Sequence, residues 1–166
     1  MKRPSGLFFL CGKGMQLVKL KEEFFAANTH LVEVLDKDHE GRWDKAKVRG
    51  YGIAVVQISG GLTFGIPLRS HIHHNECYRT NDKKGLDYSK AVLIADDSHI
   101  GDPFRIPTDE YIKLADHEHF ITGRFEKYVL GYIKALQKND ENILRRYKYS
   151  TLQNYHHQLG IGAKED

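Results

Sequence analysis

Residues able to move protons and bind phosphate are concentrated in one short segment of the chain, residues 66–74. This segment contains, in order, Arg69, Ser70, His71, His73 and His74. Imidazole suits proton transfer at neutral pH because an unperturbed histidine titrates at about 6.5. The planar guanidinium group of arginine matches two phosphate oxygens. The segment therefore predicts either phosphate-transfer chemistry or a hydrophilic turn with a phosphate-binding surface.

The histidines also allow a second interpretation, a metal site. On a strand, His71 and His73 would face the same side and could bind one ion. Further ligands could come from Asp96, Asp97 and His99. Such pairs arise easily among ten histidines, and no spacing typical of a zinc site accompanies them. We therefore expect histidines that face solvent or RNA, and no metal or other cofactor. A zinc-dependent hydrolase is the alternative enzyme class.

Four strands are predicted from runs of apolar and β-branched residues. They cover residues 15–20, 51–58, 62–68 and 91–95. The turn Ser-Gly-Gly joins the second run to the third, which is typical of an antiparallel hairpin. The reactive segment thus lies at the end of a buried strand, where a rigid sheet can hold polar side chains in place. Residues 1–14 precede the first strand and are expected to be an extension outside the core.

Helices are predicted mainly in the second half of the chain. Apolar residues recur at helical spacing over 121–136, which indicates the longest helix. Another helix is predicted before this one, and Thr108 can act as its N-cap. A final helix is predicted to begin at Ser150, because the four residues from Ser150 match a capping box. Near the start of the chain a short helix is expected over 21–28, and residues 29–35 are expected to form a second short helix in preference to a strand.

This order of elements, strands first and helices later, predicts an α+β fold. We expect one compact domain over residues 1–166, in which helices surround a twisted, mainly antiparallel β-sheet. Residues 36–47 are dense in charged residues and glycine, which indicates an exposed loop. Trp43 within this loop either anchors it to the core or offers a face on which a base can stack.

The composition fits a cytoplasmic protein and excludes several common enzyme classes. Cys11 and Cys77 form no CxxC pair and no disulfide framework, which indicates a reducing compartment. No apolar run approaches the roughly 20 residues that a membrane-spanning helix needs. The net charge of +3 permits RNA binding without requiring it. The chain contains no GxxxxGK[ST] loop, dinucleotide-binding fingerprint, GxSxG elbow or HExxH helix.

Four short motifs resemble the ToxN/AbiQ family of toxins, and most closely its TenpN branch. Ile-Pro-Leu-Arg-Ser at 66–70 is similar to the family's Ala-Pro-Leu-[Thr/Ser]-Ser-Pro-Lys signature. Lys-Lys-Gly-Leu-Asp-Tyr-Ser-Lys-Ala at 83–91 resembles the TenpN branch in particular. Arg-Gly-Tyr-Gly-Ile at 49–53 resembles the basic residue and first core strand of the family, and residues 149–161 resemble its closing helix. The motifs follow the family's order, and the likeness runs from about Met15 to near the end.

The resemblance implies an endoribonuclease toxin of a type III toxin–antitoxin system. Members of this family cut RNA without a metal ion, commonly at A-rich sequences. Each is neutralised by a repeated RNA pseudoknot that its own activity releases from a precursor, and family likeness suggests closed protein–RNA assemblies. Systems of this kind act as abortive-infection defences against phage. The expected partners are therefore an RNA antitoxin and cellular or phage RNA, with no membrane.

The resemblance also assigns residues of the reactive segment to family positions. Ser70 matches the signature serine, and Arg69 lies where ToxN-like members have a threonine or serine. The lysine that follows Ser-Pro in the family is missing here, and His73 or His74 lies in its place. Arg49 takes the place of the family's upstream lysine.

Cutting RNA without metal requires activation of the ribose 2′-hydroxyl, stabilisation of a charged phosphorane and protonation of the departing 5′-oxygen, and it leaves a 2′,3′-cyclic phosphate. We expect His74 to be the acid or base, with His71 as second choice. Arg69 and Arg49 are expected to hold the phosphate. Ser70 is expected to hydrogen-bond the scissile group.

A wider set of basic and aromatic residues is expected to contact RNA. A lysine-rich loop with a tyrosine can bind backbone phosphates and stack a base, and the basic run from Lys138 to Lys148 could line an antitoxin groove. Both stretches also have a plainer interpretation as solvated surface, and a noncatalytic RNA-binding module is the alternative function. The predicted RNA-binding residues are Lys47, Tyr51, His73, Lys83, Lys84, Tyr88, Ser89, Lys90, Arg145, Arg146 and Lys148.

Overall fold

An antiparallel sheet lies at the centre of the residues that the computed structural model describes, which are 15–35, 37–38, 40–44 and 52–162. Its strands are β1 (Gln16–Leu20), β2 (Gly52–Gln57), β3 (Thr63–Arg69), β4 (Cys77–Arg79), β5 (Gly85–Asp87), β6 (Val92–Leu93) and β7 (Ile100–Pro103). Their order is β4-β5-β3-β2-β1-β7, and β6 pairs with β3 outside this path. Every strand pair in the described part of the chain is antiparallel. The predicted α+β fold with a mainly antiparallel sheet is confirmed.

The hairpin of β2 and β3 forms the middle of this sheet and ends at the reactive segment. Ala54 pairs with Ile66, and both side chains are fully buried, as expected for apolar β-branched runs covered on both faces. Gly60 and Gly61 in the connecting turn have φ of 87° and 79°, which glycine adopts without steric cost. The predicted hairpin is confirmed, with its strand ends shifted by about one residue.

Helices pack against the sheet and complete a single hydrophobic core. The longest helix, α3 (Glu118–Lys138), buries a stripe of side chains at helical spacing, and the Phe125 ring lies edge-on 5.1 Å from that of Phe64 in β3. Each such buried side chain contributes about 1.5–3 kcal/mol. No helix of the described residues is long and apolar enough to cross a membrane. The helices are α1 (Glu22–Ala27), α2 (Thr108–Asp116), α3 (Glu118–Lys138) and α4 (Glu141–Leu144), with 3₁₀ helices at Tyr88–Lys90, Asp97–His99, Arg145–Tyr147 and Thr151–Asn154.

The predicted helix over 29–35 is wrong. Helix α1 ends at Asn28, whose side-chain amide donates a hydrogen bond to the Phe24 carbonyl. Glu33 then adopts a left-handed conformation with φ of 62°, which a helix does not accept. The Val32 N–H and carbonyl are both bound by the side chain of Asn154, 122 residues later in the chain. A long-range contact therefore replaces the local helical bonds.

The exposed loop before β2 is anchored by its tryptophan. The Trp43 ring lies edge-on 4.9 Å from Phe25 of α1, and the residue forms an isolated β-bridge with Lys37. The anchoring role proposed for Trp43 is therefore the one that the structure supports, because the ring packs against the core.

The predicted ends of two helices also differ from the structure. Pro107 is the N-cap of α2, and Thr108 is its first helical residue. Ser150 does cap a helical segment by accepting a hydrogen bond from the Leu152 N–H, but this segment is a single 3₁₀ helix followed by turns. Gln153 donates to the Ser150 carbonyl instead of completing the capping box. The closing helix expected over 149–161 is thus wrong.

Candidate active site at the end of strand β3

A buried carboxylate, Asp87, organises the residues at the end of β3. Its side chain is fully buried and accepts hydrogen bonds from Arg69 Nη1 at 2.7 Å and from His74 Nε2 at 3.3 Å. The N–H and hydroxyl of Ser89 donate to its other oxygen at 3.0 and 2.6 Å. These contacts satisfy a charge whose burial would otherwise be costly. We call Asp87, Arg69, His74 and Ser89 the Asp87 cluster.

Strand pairing explains why these residues meet. Arg69, the last residue of β3, pairs with Gly85 at the start of β5, so Asp87 at the end of β5 lies within reach of the arginine. Gly85 also pairs with Arg79 of β4. A Cβ atom on Gly85 would lie 2.0 Å from the Tyr78 carbonyl oxygen and 2.8 Å from the Arg79 Cα. Glycine at this position therefore permits the close approach of β4 and β5.

Gly85→Ala is expected to destabilise the protein by about 3 kcal/mol, because the atoms in contact are backbone and cannot move without separating two strands. Urea unfolding measures this change. The matched control is Gly123→Ala on α3, where a Cβ meets nothing within 4 Å. This control is expected to stabilise by up to about 1 kcal/mol through helix propensity. Equal midpoints for Gly85→Ala and wild type would contradict the role given to Gly85.

Both ring nitrogens of His74 are engaged inside the protein. Nδ1 accepts the backbone N–H of Glu76 at 3.1 Å, and since an amide can only donate, this nitrogen carries no proton. Nε2 then carries the proton that it donates to Asp87. The geometry thus gives His74 a positioning role between the loop and Asp87. His74 is half-buried, so neither nitrogen is presented freely to a substrate.

The pair Ser70 and His71 lies outside the Asp87 cluster and faces solvent. Both residues are exposed, and the Ser70 Oγ and His71 Nδ1 atoms are 3.1 Å apart. His71 has φ of 61°, an uncommon conformation for a residue other than glycine. Strained backbone of this kind often occurs at functional sites. Nε2 of His71 has no hydrogen bond within the described residues, so this nitrogen is open to a substrate.

The loop after His71 is held by Arg79, which the sequence analysis did not single out. Its guanidinium group donates to the carbonyls of Ile72 at 3.0 Å, His74 at 2.8 Å and Asp82 at 3.2 Å. Ile72 is buried at 1% exposure and anchors the loop from the inside. The site residues on this loop are therefore fixed before any ligand binds, which favours catalysis or specific binding.

The predicted RNA-binding loop does not form one surface. Tyr88 is only 1% exposed and donates its hydroxyl hydrogen to the Ile121 carbonyl, so it offers no stacking face. Ser89 belongs to the Asp87 cluster, and Lys90 donates to the Tyr149 carbonyl at 2.9 Å. These three are internal because β5 and the following 3₁₀ helix pass through the core. His73, Lys83 and Lys84 are exposed. Lys47, Arg49 and Tyr51 lie outside the described residues.

The predicted basic run from Lys138 to Lys148 lies next to a groove along α3. This α3 groove, of about 400 Å³, lies between α3 and residues 140–147. Arg146 lines it and forms an ion pair with Glu76 at 3.0 Å, whereas Arg145 and Lys148 are exposed residues that do not line it. Within the described residues, no ion pair holds the lysines of the groove. The cationic lining comprises Arg124, Lys127, Lys134, Lys138 and Arg146.

Cysteine and metal chemistry find little support in the described part of the chain. Burial raises the pKa of the Cys77 thiol, so the thiol stays protonated and is a poor nucleophile. Among the residues that the structure describes, no three His, Cys, Asp or Glu side chains are grouped so that they could hold a metal ion. The zinc site considered for His71, His73, Asp96, Asp97 and His99 is therefore not assembled there.

The end of β3 therefore carries a guanidinium group, followed directly in the chain by a hydroxyl and an accessible imidazole. Arg69 points one nitrogen at Asp87 and is 34% exposed, so its remaining N–H groups can bind an anion. Ser70 and His71 follow directly and face solvent. Such a set can bind a phosphodiester and exchange a proton with it. No protein-family model, curated protein or solved structure matches this chain.

Proposed function

We propose that the protein is a metal-independent endoribonuclease, the toxin of a cytoplasmic type III toxin–antitoxin system like those of the ToxN/AbiQ family and its TenpN branch. The observation that carries this proposal is the exposed Ser70–His71 pair, which directly follows the partly exposed Arg69 in the chain. Phosphate binding and proton transfer are the two functions that RNA cleavage needs. The motif resemblance adds the biological setting, a toxin held inactive by a repeated RNA pseudoknot during phage defence.

In this mechanism His71 removes the proton of the ribose 2′-hydroxyl. The 2′-oxygen then forms a bond to phosphorus while the bond between phosphorus and the 5′-oxygen breaks. Solvent protonates the 5′-oxygen, and the products are a 2′,3′-cyclic phosphate and a free 5′-hydroxyl. Arg69 stabilises the charge on the phosphorane, and Ser70 orients the His71 ring or the scissile phosphate. His74 takes the positioning role that its two internal hydrogen bonds describe.

The α3 groove supports an RNA partner larger than the scissile dinucleotide. Lys127, Lys134 and Lys138 project from one face of α3, since their spacings of seven and four residues return to the same side of a helix. The groove reaches Tyr88, which lies between Asp87 and Ser89 in the chain, and Glu76, whose N–H donates to His74 Nδ1. A cationic surface next to the site can bind the phosphates of an antitoxin or substrate RNA.

The test is induced expression of wild type and Ser70→Ala, with total RNA incubated in EDTA and examined for new ends. Wild type is expected to arrest growth and to produce cyclic-phosphate ends, and Ser70→Ala is expected to lose both. The matched control is Ser59→Ala, in the turn at the opposite end of the β2–β3 hairpin, which should behave as wild type. Healthy growth and intact RNA with folded wild-type protein would refute the nuclease proposal and favour a noncatalytic RNA-binding module.

A further inference from the structure

A second pocket lies between β4 and α3 and includes Asn75, the residue that follows His74. It has a volume of about 400 Å³ and is lined by Asn75, Cys77, Tyr78, Arg79 and Arg124. We call it the Tyr78 pocket. Its lining combines an aromatic ring, two guanidinium groups and a side-chain amide, and none of these residues belongs to the Asp87 cluster.

The aromatic wall of the Tyr78 pocket continues onto the surface of α3. The Tyr78 ring lies 6.2 Å from that of Phe120 and 6.0 Å from that of His117. Phe120 is 52% exposed, so a large part of its ring faces solvent. Aromatic rings at a nucleic-acid surface stack bases of any sequence, because every base has a π face.

The charge at the Tyr78 pocket is positive and fixed. Arg124 lies over the Phe120 ring at 5.7 Å and forms no ion pair within the described residues. Arg79 binds three backbone carbonyls, so its orientation is set while its charge is not neutralised by a carboxylate. No acidic residue lines the pocket. Arg124 also lines the α3 groove, which makes the two cationic surfaces continuous.

We propose that the Tyr78 pocket binds one nucleotide of a single-stranded RNA, as a subsite next to the reacting phosphate. The base stacks on Tyr78 and Phe120, the phosphate lies at Arg124, and the Asn75 amide contacts the base edge. A single-stranded RNA uses both features of the pocket, because its bases can stack on the aromatic rings and its phosphates can bind the arginines. Arg79 of the pocket donates to the carbonyl of Ile72, the residue after His71, so a nucleotide bound in the pocket would lie near the proposed cleavage site. This inference rests on the proposed function and deepens it.

The experiment measures binding of a fluorescein-labelled, single-stranded 2′-O-methyl RNA of mixed sequence by anisotropy at several salt concentrations. The methyl group removes the attacking hydroxyl, so the strand stays intact during the measurement. Arg124→Ala is expected to weaken binding about tenfold and to reduce the slope of log affinity against log salt by about 0.7, the value for one lost phosphate contact on a single strand. Tyr78→Leu is expected to weaken binding about tenfold with an unchanged slope.

Two further variants keep the result interpretable. Phe120→Ala removes an exposed ring without disturbing the core and is expected to weaken binding severalfold. Arg105→Ala is the matched control for Arg124→Ala, because it also removes one arginine. Arg105 lies beside β7, at the opposite edge of the sheet from β4, so this variant should bind RNA within twofold of wild type. Equal affinities and slopes for wild type, Arg124→Ala and Phe120→Ala would overturn the subsite.

The outcome separates the subsite from the nuclease proposal. Cleavage of RNA by wild type, together with unchanged binding by the Arg124 and Phe120 variants, overturns the subsite and leaves the nuclease in place. If the Arg124 and Phe120 variants bind RNA more weakly than wild type does, and the wild-type protein cleaves no RNA, the subsite is supported and the nuclease proposal is overturned. Equally tight binding of duplex RNA would also overturn the subsite, since paired bases cannot stack on the Tyr78 wall.

Discussion

Asp87→Asn is expected to destabilise the protein by about 3 kcal/mol and to lower RNA cleavage at least tenfold. The carboxylate is fully buried and forms an ion pair with Arg69 at 2.7 Å. Removal of one partner of a buried pair leaves the other without compensation, which typically costs 3–5 kcal/mol. The partial exposure of Arg69 places the expected cost at the lower end. Cleavage falls because both Arg69 and His74 lose the group that orients them.

Urea unfolding and RNA cleavage measure these two effects. The matched control is Asp82→Asn, at the exposed tip between β4 and β5, which is expected to change stability by less than about 0.5 kcal/mol. A double-mutant cycle with Arg69→Met isolates the pair, and a coupling of at least about 1 kcal/mol is expected for groups in direct contact. Coupling near zero would show that Arg69 and Asp87 act independently and would contradict the organising role of Asp87.

His71→Ala is expected to slow RNA cleavage between about 10²-fold and 10⁴-fold, the usual contribution of a general acid or base. Its side chain is exposed, and its one side-chain hydrogen bond within the described residues is to Ser70, so the fold should remain intact. The measurement is single-turnover cleavage of a labelled RNA, with unfolding followed in parallel. His157→Ala, another exposed histidine, is the matched control and should cleave at the wild-type rate.

His74→Ala distinguishes the two histidines. Because His74 joins Asp87 to the Glu76 N–H, its loss should lower both stability and cleavage. Full activity in His71→Ala, with a large loss of cleavage but unchanged stability in His74→Ala, would return the proton transfer to His74. That was the first choice from sequence, where neighbouring histidines look alike.

The elements that could be predicted from sequence are those with a strong local pattern. The β2–β3 hairpin has apolar runs around a Gly-Gly turn, and α3 has a long apolar stripe, so both were found. Strands β4, β5 and β7 have only three or four residues each and too little alternation to be recognised. They exist because neighbouring strands pair with them, which is a tertiary effect that local propensity does not record.

The candidate site could be predicted only in part, because only some of its residues follow an element with a strong local pattern. Arg69 and Ser70 were predicted because they end a recognisable strand. Asp87 lies within the motif at 83–91 but was not predicted as a site residue, because a carboxylate among lysines resembles part of a solvated loop. The difference between His71 and His74 depends on loop conformation and on the Glu76 N–H, neither of which the sequence displays.

The contact between Asn154 and Val32 also bears on the order in which the chain folds. This contact closes a loop of 122 residues, and Thr151 likewise donates to the Ala91 carbonyl from 60 residues away. Loop closure costs entropy before such contacts stabilise anything, so distant pairings form late. Ribosomes deliver the amino-terminal part of a chain first. A nascent chain of this protein therefore cannot secure the segment around Val32 until Asn154 has been synthesised.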